Sequence, residues 1–137
     1  MVWATKQRQP YLKKPQLYAI IKTIRNIAKE KEIHIIAING HRDHLHALIS
    51  LSNKQSMSEV AQYLKGRSSY WVNNVDKEYF KFQLKWAKGY YATSVSKSNI
   101  PEVRRYIQRQ EEHHMKKTFQ EECDEFLDKF GFERLYD

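Results

Sequence analysis

The stretch from residue 33 to residue 51, IHIIAINGHRDHLHALISL, constrains the fold of this chain more than any other part of the sequence. Residues 33–38 form a β-branched run that is apolar on both faces, which is typical of a central strand. The Asn39-Gly40 pair that follows has the residue types of a tight turn, since both tolerate positive φ angles. The sequence therefore predicts a β-hairpin whose second strand begins at His44.

Alternate side chains of a strand point to opposite faces, so the second strand has two different sides. One side is wholly apolar and predicts a core face: Leu45, Ala47, Ile49 and Leu51. The other side carries two imidazoles next to each other: His44 and His46, followed by Leu48 and Ser50. Two histidines on a strand face are either solvated or hydrogen-bonded polar residues, or metal ligands.

The remaining patterns complete a six-element order. A short strand over residues 2–5 precedes an amphipathic helix that follows Pro15 and ends near Glu30. A capping box, Ser56 with Glu59, opens a second helix, and residues 86–95 predict the last strand. The order strand, helix, strand, strand, helix, strand predicts an α+β fold of the ferredoxin-like or RRM-like type: a four-stranded antiparallel sheet with both helices on one face. The opposite face is expected to stay free for binding.

Two further helices are predicted after this core, which covers about residues 1–97 of a single domain, 1–137. The first spans about 100–114 and places Tyr106 and Gln110 on one stripe, one turn apart. Taken alone, Tyr106 is better explained as a residue at the edge of the core, with its hydroxyl in water, than as a catalytic residue. The second helix, about 118–130, is amphipathic and carries Cys123 on its apolar stripe, which indicates a core residue.

Charge is distributed unevenly along the chain, whose formal net charge is +8. Residues 1–110 hold 20 Lys and Arg against 7 Asp and Glu, whereas residues 111–137 hold 4 against 9. A basic region with interleaved aromatic residues suits single-stranded nucleic acid, although a solvated basic surface is the simpler explanation. Neither a membrane-spanning run nor a signal peptide is recognisable, and the single cysteine agrees with a reducing compartment, so we expect a cytoplasmic protein.

Several segments together resemble one known family. DHLHALISL resembles the histidine-hydrophobic-histidine motif of the HUH nucleases, and VRRYIQRQEEHHMKKTFQEE resembles the tyrosine helix of the single-tyrosine transposases. VWATKQRQPYL, LKGRSSYWVN and GYYATSVSKSNI match further pieces, in order, over nearly the whole chain. The sequence is therefore similar to transposase A of the smallest bacterial insertion sequences and to the REP-associated tyrosine transposases.

The resemblance implies an enzyme that cleaves and rejoins single-stranded DNA. His44, His46 and Gln110 would hold one Mg²⁺ or Mn²⁺, and Tyr106 would attack the scissile phosphate to form a 5′-phosphotyrosine bond. The DNA partners would be imperfect hairpins at the element ends. The residues expected to contact DNA are Lys65, Arg67, Ser68, Ser69, Arg104 and Arg105. The resemblance also implies a homodimer in which one subunit's tyrosine helix completes the other's site.

Two alternatives remain open at the level of sequence. The first is a non-catalytic RRM-like module that stacks single-stranded bases on its sheet, which explains the charge and the fold. It leaves the joint presence of His44, His46, Tyr106 and Gln110 unexplained. The second is a domesticated REP-associated nuclease that cuts one chromosomal repeat, because its catalytic residues would look the same.

Overall fold

A computed structural model of the protein describes residues 1–109, residue 121 and residues 133–135. Its strands and α-helices are β1 (Val2–Ala4), α1 (Lys14–Glu30), β2 (His34–His41), β3 (His44–Ser50), α2 (Met57–Tyr70), β4 (Tyr90–Ala92), α3 (Ile100–Gln108) and β5 (Glu133–Leu135). Short 3₁₀ turns occupy Lys6–Arg8 and Lys97–Asn99, and a π-helical turn, Trp71–Val75, follows α2. The βαββαβ order predicted from the sequence is confirmed.

The strands form one antiparallel sheet in the order β2-β3-β1-β4-β5. The first four strands of that order have the ferredoxin-like arrangement that the sequence predicts, with β1 and β3 paired at the centre. β5 adds a strand beside β4, and this strand was not anticipated. Strand β1 has only three residues, yet it pairs with both neighbouring strands. Val2 lies opposite His46 of β3 on one side and opposite Tyr91 of β4 on the other.

Helices α1 and α2 cover one face of the sheet and bury the main core. Its members are apolar residues from both helices and from the central strands, and they include Trp3, Ile20, Ile24, Leu45, Ala47, Val60 and Leu64. This confirms Leu45 and Ala47 as core residues, with Ile49 packed against the core. The prediction is wrong for Leu51, which is 47% exposed because it lies beyond the end of β3 at Ser50. Burial of the core side chains is the main source of the stability of the fold.

Helix α3 packs on the opposite face of the sheet. Val103 and Ile107 of α3 are buried against Ala37 of β2 and Leu48 of β3. The expectation that this face stays free is therefore wrong where α3 lies. The reason is that Leu48 and Ala37 are apolar side chains on the face away from α1 and α2, and the apolar stripe of α3 removes them from water.

The turn of the hairpin differs from the predicted one. β2 continues through Asn39 and Gly40, and the two-residue turn is Arg42-Asp43, with His41 paired to His44. Gly40 does not have a positive φ angle. It is needed for another reason, because a Cβ there would collide with the backbone oxygen of His44 and lie 2.5 Å from the Cδ2 atom of Leu45.

Other boundaries follow the sequence only in part. The Ser56 cap is confirmed, because its Oγ accepts a hydrogen bond of 3.1 Å from the backbone N–H of Glu59. Asn99 precedes α3 without a side-chain capping bond. The predicted strand over 86–95 is reduced to Tyr90–Ala92 after Gly89, whose φ of 83° favours glycine.

The predicted end of the tyrosine helix (residues 110–114) lies outside the described residues, as do Cys123 and the body of the predicted helix over about 118–130. Within the part of the chain that the structure describes, no helix is long and apolar enough to cross a membrane.

Candidate active site

The β2–β3 hairpin brings two imidazoles together beneath α3. His44 is fully buried and His46 is 3% exposed, and their ring centroids lie 5.2 Å apart. Both rings point to the face that carries α3, because the alternate residues Leu45 and Ala47 enter the core on the other side. The predicted pairing of the two histidines on one face is confirmed.

Asp43, in the turn of the hairpin, contacts the first of these histidines. Its Oδ1 atom lies 2.7 Å from Nδ1 of His44. From the sequence, Asp43 either contributes from the loop or, by strand alternation, faces away from the pair. The contact supports the first of these, because Asp43 belongs to the turn and not to β3. An ionised carboxylate only accepts hydrogen bonds, so Nδ1 of His44 is the donor.

Tyr106 lies next to the histidine pair. Helix α3 buries Val103 and Ile107 against the sheet, and this packing directs the half-buried ring of Tyr106 toward His46. The two ring centroids are 5.7 Å apart, at an interplanar angle of 65°. The structure thus brings together three of the four residues that the sequence singled out for chemistry, and it does so within one chain.

The fourth of these residues, Gln110, lies outside the described residues, so its role as a ligand stays a prediction. Asn39 fastens the last turn of α3 to the sheet, since its Nδ2 atom donates a hydrogen bond of 3.4 Å to the carbonyl oxygen of Gln108. The C-terminal end of α3 is therefore held over β2 and β3, just before Gln110 in the chain.

The donor set at this site fits a divalent metal ion. The Nε2 atoms of His44 and His46 are both buried, and the hydrogen bond at Nδ1 of His44 leaves its Nε2 as the lone-pair donor. Among the described residues, no group of three or more His, Cys, Asp or Glu side chains has metal-binding geometry. The described residues thus supply two buried imidazole nitrogens, which are donors that suit such an ion.

A cavity of about 530 Å³ adjoins His46 and is lined by residues of β3, α3 and the segment around β4. His46 lines one part of it, and apolar side chains of β3 and α3 line most of the rest, with hydroxyls from Ser50, Thr93 and Ser94. The histidine site thus borders open space on the α3 side of the sheet.

The predicted DNA-contacting residues divide into two groups. Arg67, Arg104 and Arg105 are exposed, and Ser69 is half-buried. Their contacts with DNA stay predictions. The other two, Lys65 and Ser68, are not exposed on α2.

Lys65 and Ser68 are buried, at 5% and 0% exposure. The ammonium group of Lys65 donates hydrogen bonds to the carbonyl oxygens of Ala87 (3.0 Å) and Gly89 (3.2 Å). The hydroxyl of Ser68 accepts a hydrogen bond of 3.0 Å from the indole N–H of Trp86. Both side chains therefore bind the segment before β4 to α2, because the two carbonyl oxygens and the indole N–H need partners away from water.

Sequence reasoning missed residues whose place depends on the register of the hairpin. His41 pairs with His44 and shares its face, and Asn39 pairs with His46. Placing the turn at Asn39-Gly40 hid both relationships. No local signal favoured the later turn, because Asn39-Gly40 has the residue types of a tight turn.

Two other tyrosines, Tyr90 and Tyr91 of β4, are alternative candidates for a nucleophile. Tyr90 is 4% exposed and belongs to the main core. Tyr91 shares a face with His46, but β1 lies between their strands, so the two backbones are separated by about 10 Å, or two strand spacings. Tyr106 does make a ring contact with the pair, since its centroid lies 5.7 Å from that of His46.

Comparisons with known proteins agree with this architecture. A family model described as "Transposase IS200 like" matches residues 1–110. The transposase for insertion sequence element IS200 from Salmonella typhimurium strain LT2 is 30% identical over 113 residues, which are 80% of this chain and 74% of that protein. The IS200 transposase of Salmonella typhi matches with the same values.

One solved structure supports the fold. A Deinococcus radiodurans R1 protein provisionally assigned as a transposase has a TM-score of 0.60 and 22% sequence identity, covering 80% of this chain and 86% of its own.

The chain has a ferredoxin-like sheet, and its histidine hairpin lies under a helix that carries a tyrosine. Together with these matches, this arrangement defines a DNA-processing transposase. The chain belongs to the IS200-like transposase family. Family membership implies DNA as its partner and DNA transposition as its process.

Proposed function

We propose that the protein is a metal-dependent nuclease and strand transferase for single-stranded DNA, with Tyr106 as its nucleophile. The observation that carries the proposal is the contact between Tyr106 and His46, with ring centroids 5.7 Å apart. Two different elements, α3 and the β2–β3 hairpin, bring the tyrosine and the histidine pair together. In a member of a transposase family, a shared role in one reaction explains this better than coincidence does.

The reaction exchanges one phosphodiester bond for another. The phenolic oxygen of Tyr106 attacks the scissile phosphorus, the bond from phosphorus to the 3′-oxygen breaks, and the phenolic proton passes through solvent to the departing 3′-oxygen. The products are a 5′-phosphotyrosine and a free 3′-hydroxyl. Attack by the 3′-hydroxyl of another strand reverses the step and joins the strands, so no nucleotide cofactor is required.

The histidines have a binding role in this proposal. His44, His46 and Gln110 would hold Mg²⁺ or Mn²⁺, which supplies Lewis-acid polarisation of the phosphate when bound. The chain's own groups hold the site in place: α3 positions the phenol, and the sheet keeps both imidazoles fixed and away from bulk water. Exposed Arg67, Arg104 and Arg105 are proposed to bind DNA phosphates, as single-stranded hairpins at element ends require.

A homodimer is also part of the proposal. The resemblance implies active sites shared between subunits, whereas the described contact between Tyr106 and His46 joins two residues of one chain. We therefore propose that each subunit of the dimer can form its site from its own histidines and its own α3.

The non-catalytic RRM-like alternative is less well supported than it was from sequence. Such modules stack bases on the free face of the sheet. Here α3 covers Ala37 and Leu48 of β2 and β3 on that face. The domesticated nuclease remains a variant of the same chemistry, and subterminal hairpins in the flanking DNA would distinguish a mobile copy from it.

The test is a covalent-adduct assay with labelled single-stranded end DNA and Mg²⁺ on a denaturing gel. Wild-type protein should form an adduct, and Tyr106→Phe should form none while still folding and binding DNA. Tyr18→Phe is the matched control, because Tyr18 is 55% exposed on α1, on the other side of the sheet, and should leave the adduct unchanged. An adduct with Tyr106→Phe would identify another nucleophile and refute the proposal.

A further inference from the structure

We propose that Asp43 is a positioning residue for His44: its carboxylate holds the imidazole in the Nδ1–H tautomer and so presents Nε2 as the ligand atom. The resemblance assigns the histidines, the tyrosine and the glutamine, but it gives Asp43 no role. The part of the inference that concerns metal binding rests on the proposed function, whereas the part that concerns the tautomer does not.

The geometry of the contact defines the tautomer. Oδ1 of Asp43 lies 2.7 Å from Nδ1 of His44, a short distance for a hydrogen bond to a carboxylate. Because the carboxylate is an acceptor, Nδ1 carries the hydrogen and the neutral ring has its lone pair on Nε2. The His44 side chain is fully buried and that of Asp43 is 23% exposed, so bulk water competes little with this bond at the imidazole.

Asp43 is itself held in place by the end of β1. The backbone N–H of Thr5 donates a hydrogen bond of 2.8 Å to the carbonyl oxygen of Asp43. Thr5 is fully buried, and its hydroxyl lies 2.8 Å from the carbonyl oxygen of Gln9 and 3.3 Å from that of Asp43. On the other side of the turn, the N–H of Leu12 donates a hydrogen bond of 2.9 Å to the carbonyl oxygen of Arg42. The turn that carries the carboxylate is therefore anchored at both of its residues.

The same geometry argues against Asp43 as a direct metal ligand. Its Oδ1 atom is bound at Nδ1, and Nε2 is the nitrogen on the other side of the imidazole ring. A carboxylate in that position orients the ring and raises the basicity of the opposite nitrogen without entering the coordination shell. Asp43 thus acts through His44.

The tautomer is measured directly on metal-free protein by NMR of ¹⁵N-histidine-labelled samples at neutral pH, with His44→Ala used to identify the His44 signals. Wild-type His44 should show a protonated Nδ1 and an unprotonated Nε2. Asp43→Ala should shift the His44 population toward the Nε2–H form, with the amide spectrum showing that the fold is retained. A wild-type His44 in the Nε2–H form, or a tautomer unchanged in Asp43→Ala, would overturn the inference.

The consequence for metal binding is measured as the affinity for Mn²⁺ alone, from the electron paramagnetic resonance signal of free Mn²⁺. Asp43→Asn preserves the size of the side chain and should weaken binding about 10- to 100-fold. Asp76→Asn is the matched control, since Asp76 lies in the segment after α2, and it should bind Mn²⁺ as the wild type does. Equal Mn²⁺ affinity in Asp43→Asn and wild type would contradict a positioning role in metal binding.

The two measurements separate this inference from the proposed function. A wild-type protein that binds no Mn²⁺ would refute the metal site of the proposed function, and the tautomer measurement would still decide the role of Asp43. Conversely, a protein that binds Mn²⁺ with His44 in the Nε2–H form would retain the proposed metal site and refute the inference about Asp43.

Discussion

The two faces of the sheet bury different kinds of side chain. Under α1 and α2 lies a continuous apolar core drawn from both helices and all the central strands. Under α3, the apolar cluster of described residues is small, and it adjoins two buried histidines and a cavity of about 530 Å³. Adjacent residues of β3 serve both faces, since Leu45 enters the core and His46 faces Tyr106. One face therefore provides most of the stability, and the other can carry buried polar groups because that stability is supplied elsewhere.

The largest expected effect is the loss of DNA cleavage when a histidine of the α3 face is removed. His46→Ala should abolish DNA cleavage and adduct formation, because it removes a proposed metal ligand. DNA affinity should change less than about threefold, since phosphate contacts dominate binding. Cleavage gels and binding titrations at one salt concentration measure the two effects.

His34→Ala is the matched control, because His34 is an exposed histidine of β2 and should retain cleavage. EDTA should reproduce the effect of His46→Ala on the wild type. Full cleavage in EDTA would remove the metal from the proposal and leave the buried histidines as structural residues.

A second experiment asks whether the Tyr106 and His46 that share one active site belong to the same chain. Co-expression of His46→Ala and Tyr106→Phe subunits with different tags should give about half heterodimers by random pairing. If each site forms within one chain, as proposed, purified heterodimers should show no cleavage. Shared sites would instead leave one intact site per heterodimer. Recovery of cleavage would therefore show that α3 crosses between subunits.

The third prediction compares the stability of the two faces. Leu64→Ala in the main core should lower the free energy of unfolding by about 2–5 kcal/mol, because it creates a cavity among well-packed neighbours. Val103→Ala in α3 should cost less, about 1–2 kcal/mol, since fewer methyl groups are removed and the site already borders a cavity. Urea denaturation of both variants measures the difference, and an equal or larger loss for Val103→Ala would contradict the comparison.

The smallest expected effect is a change in the salt dependence of DNA binding, and it should differ between two basic residues of α2. Arg67→Ala should weaken DNA binding and reduce the slope of log affinity against log salt by about 1, because Arg67 is exposed and proposed to contact a phosphate. Lys65→Met should leave that slope unchanged and lower the urea midpoint instead, since Lys65 binds the carbonyl oxygens of Ala87 and Gly89. A reduced salt slope in Lys65→Met would restore Lys65 as a DNA contact.

The pattern of residues along the chain was enough to determine the order of the first six strands and helices, the βαββαβ core, and the two sides of β3. Alternation with period two separates Leu45 and Ala47 from His44 and His46 wherever the strand pairs, so the core side and the polar side could be predicted without knowing the partner strands. The spacing of Val103 and Ile107 likewise predicted the buried stripe of α3, because helical periodicity is a local property.

Only the tertiary structure decided what covers each side chain. The exposure of Lys65 depends on the carbonyl groups of a segment more than twenty residues away in the chain, and the contact of Tyr106 with His46 depends on which face α3 packs against. The role of Asp43 depends on a turn placed three residues beyond the one that the Asn39-Gly40 pair suggested. These relationships arise from packing between distant segments, which local propensity and periodicity do not encode.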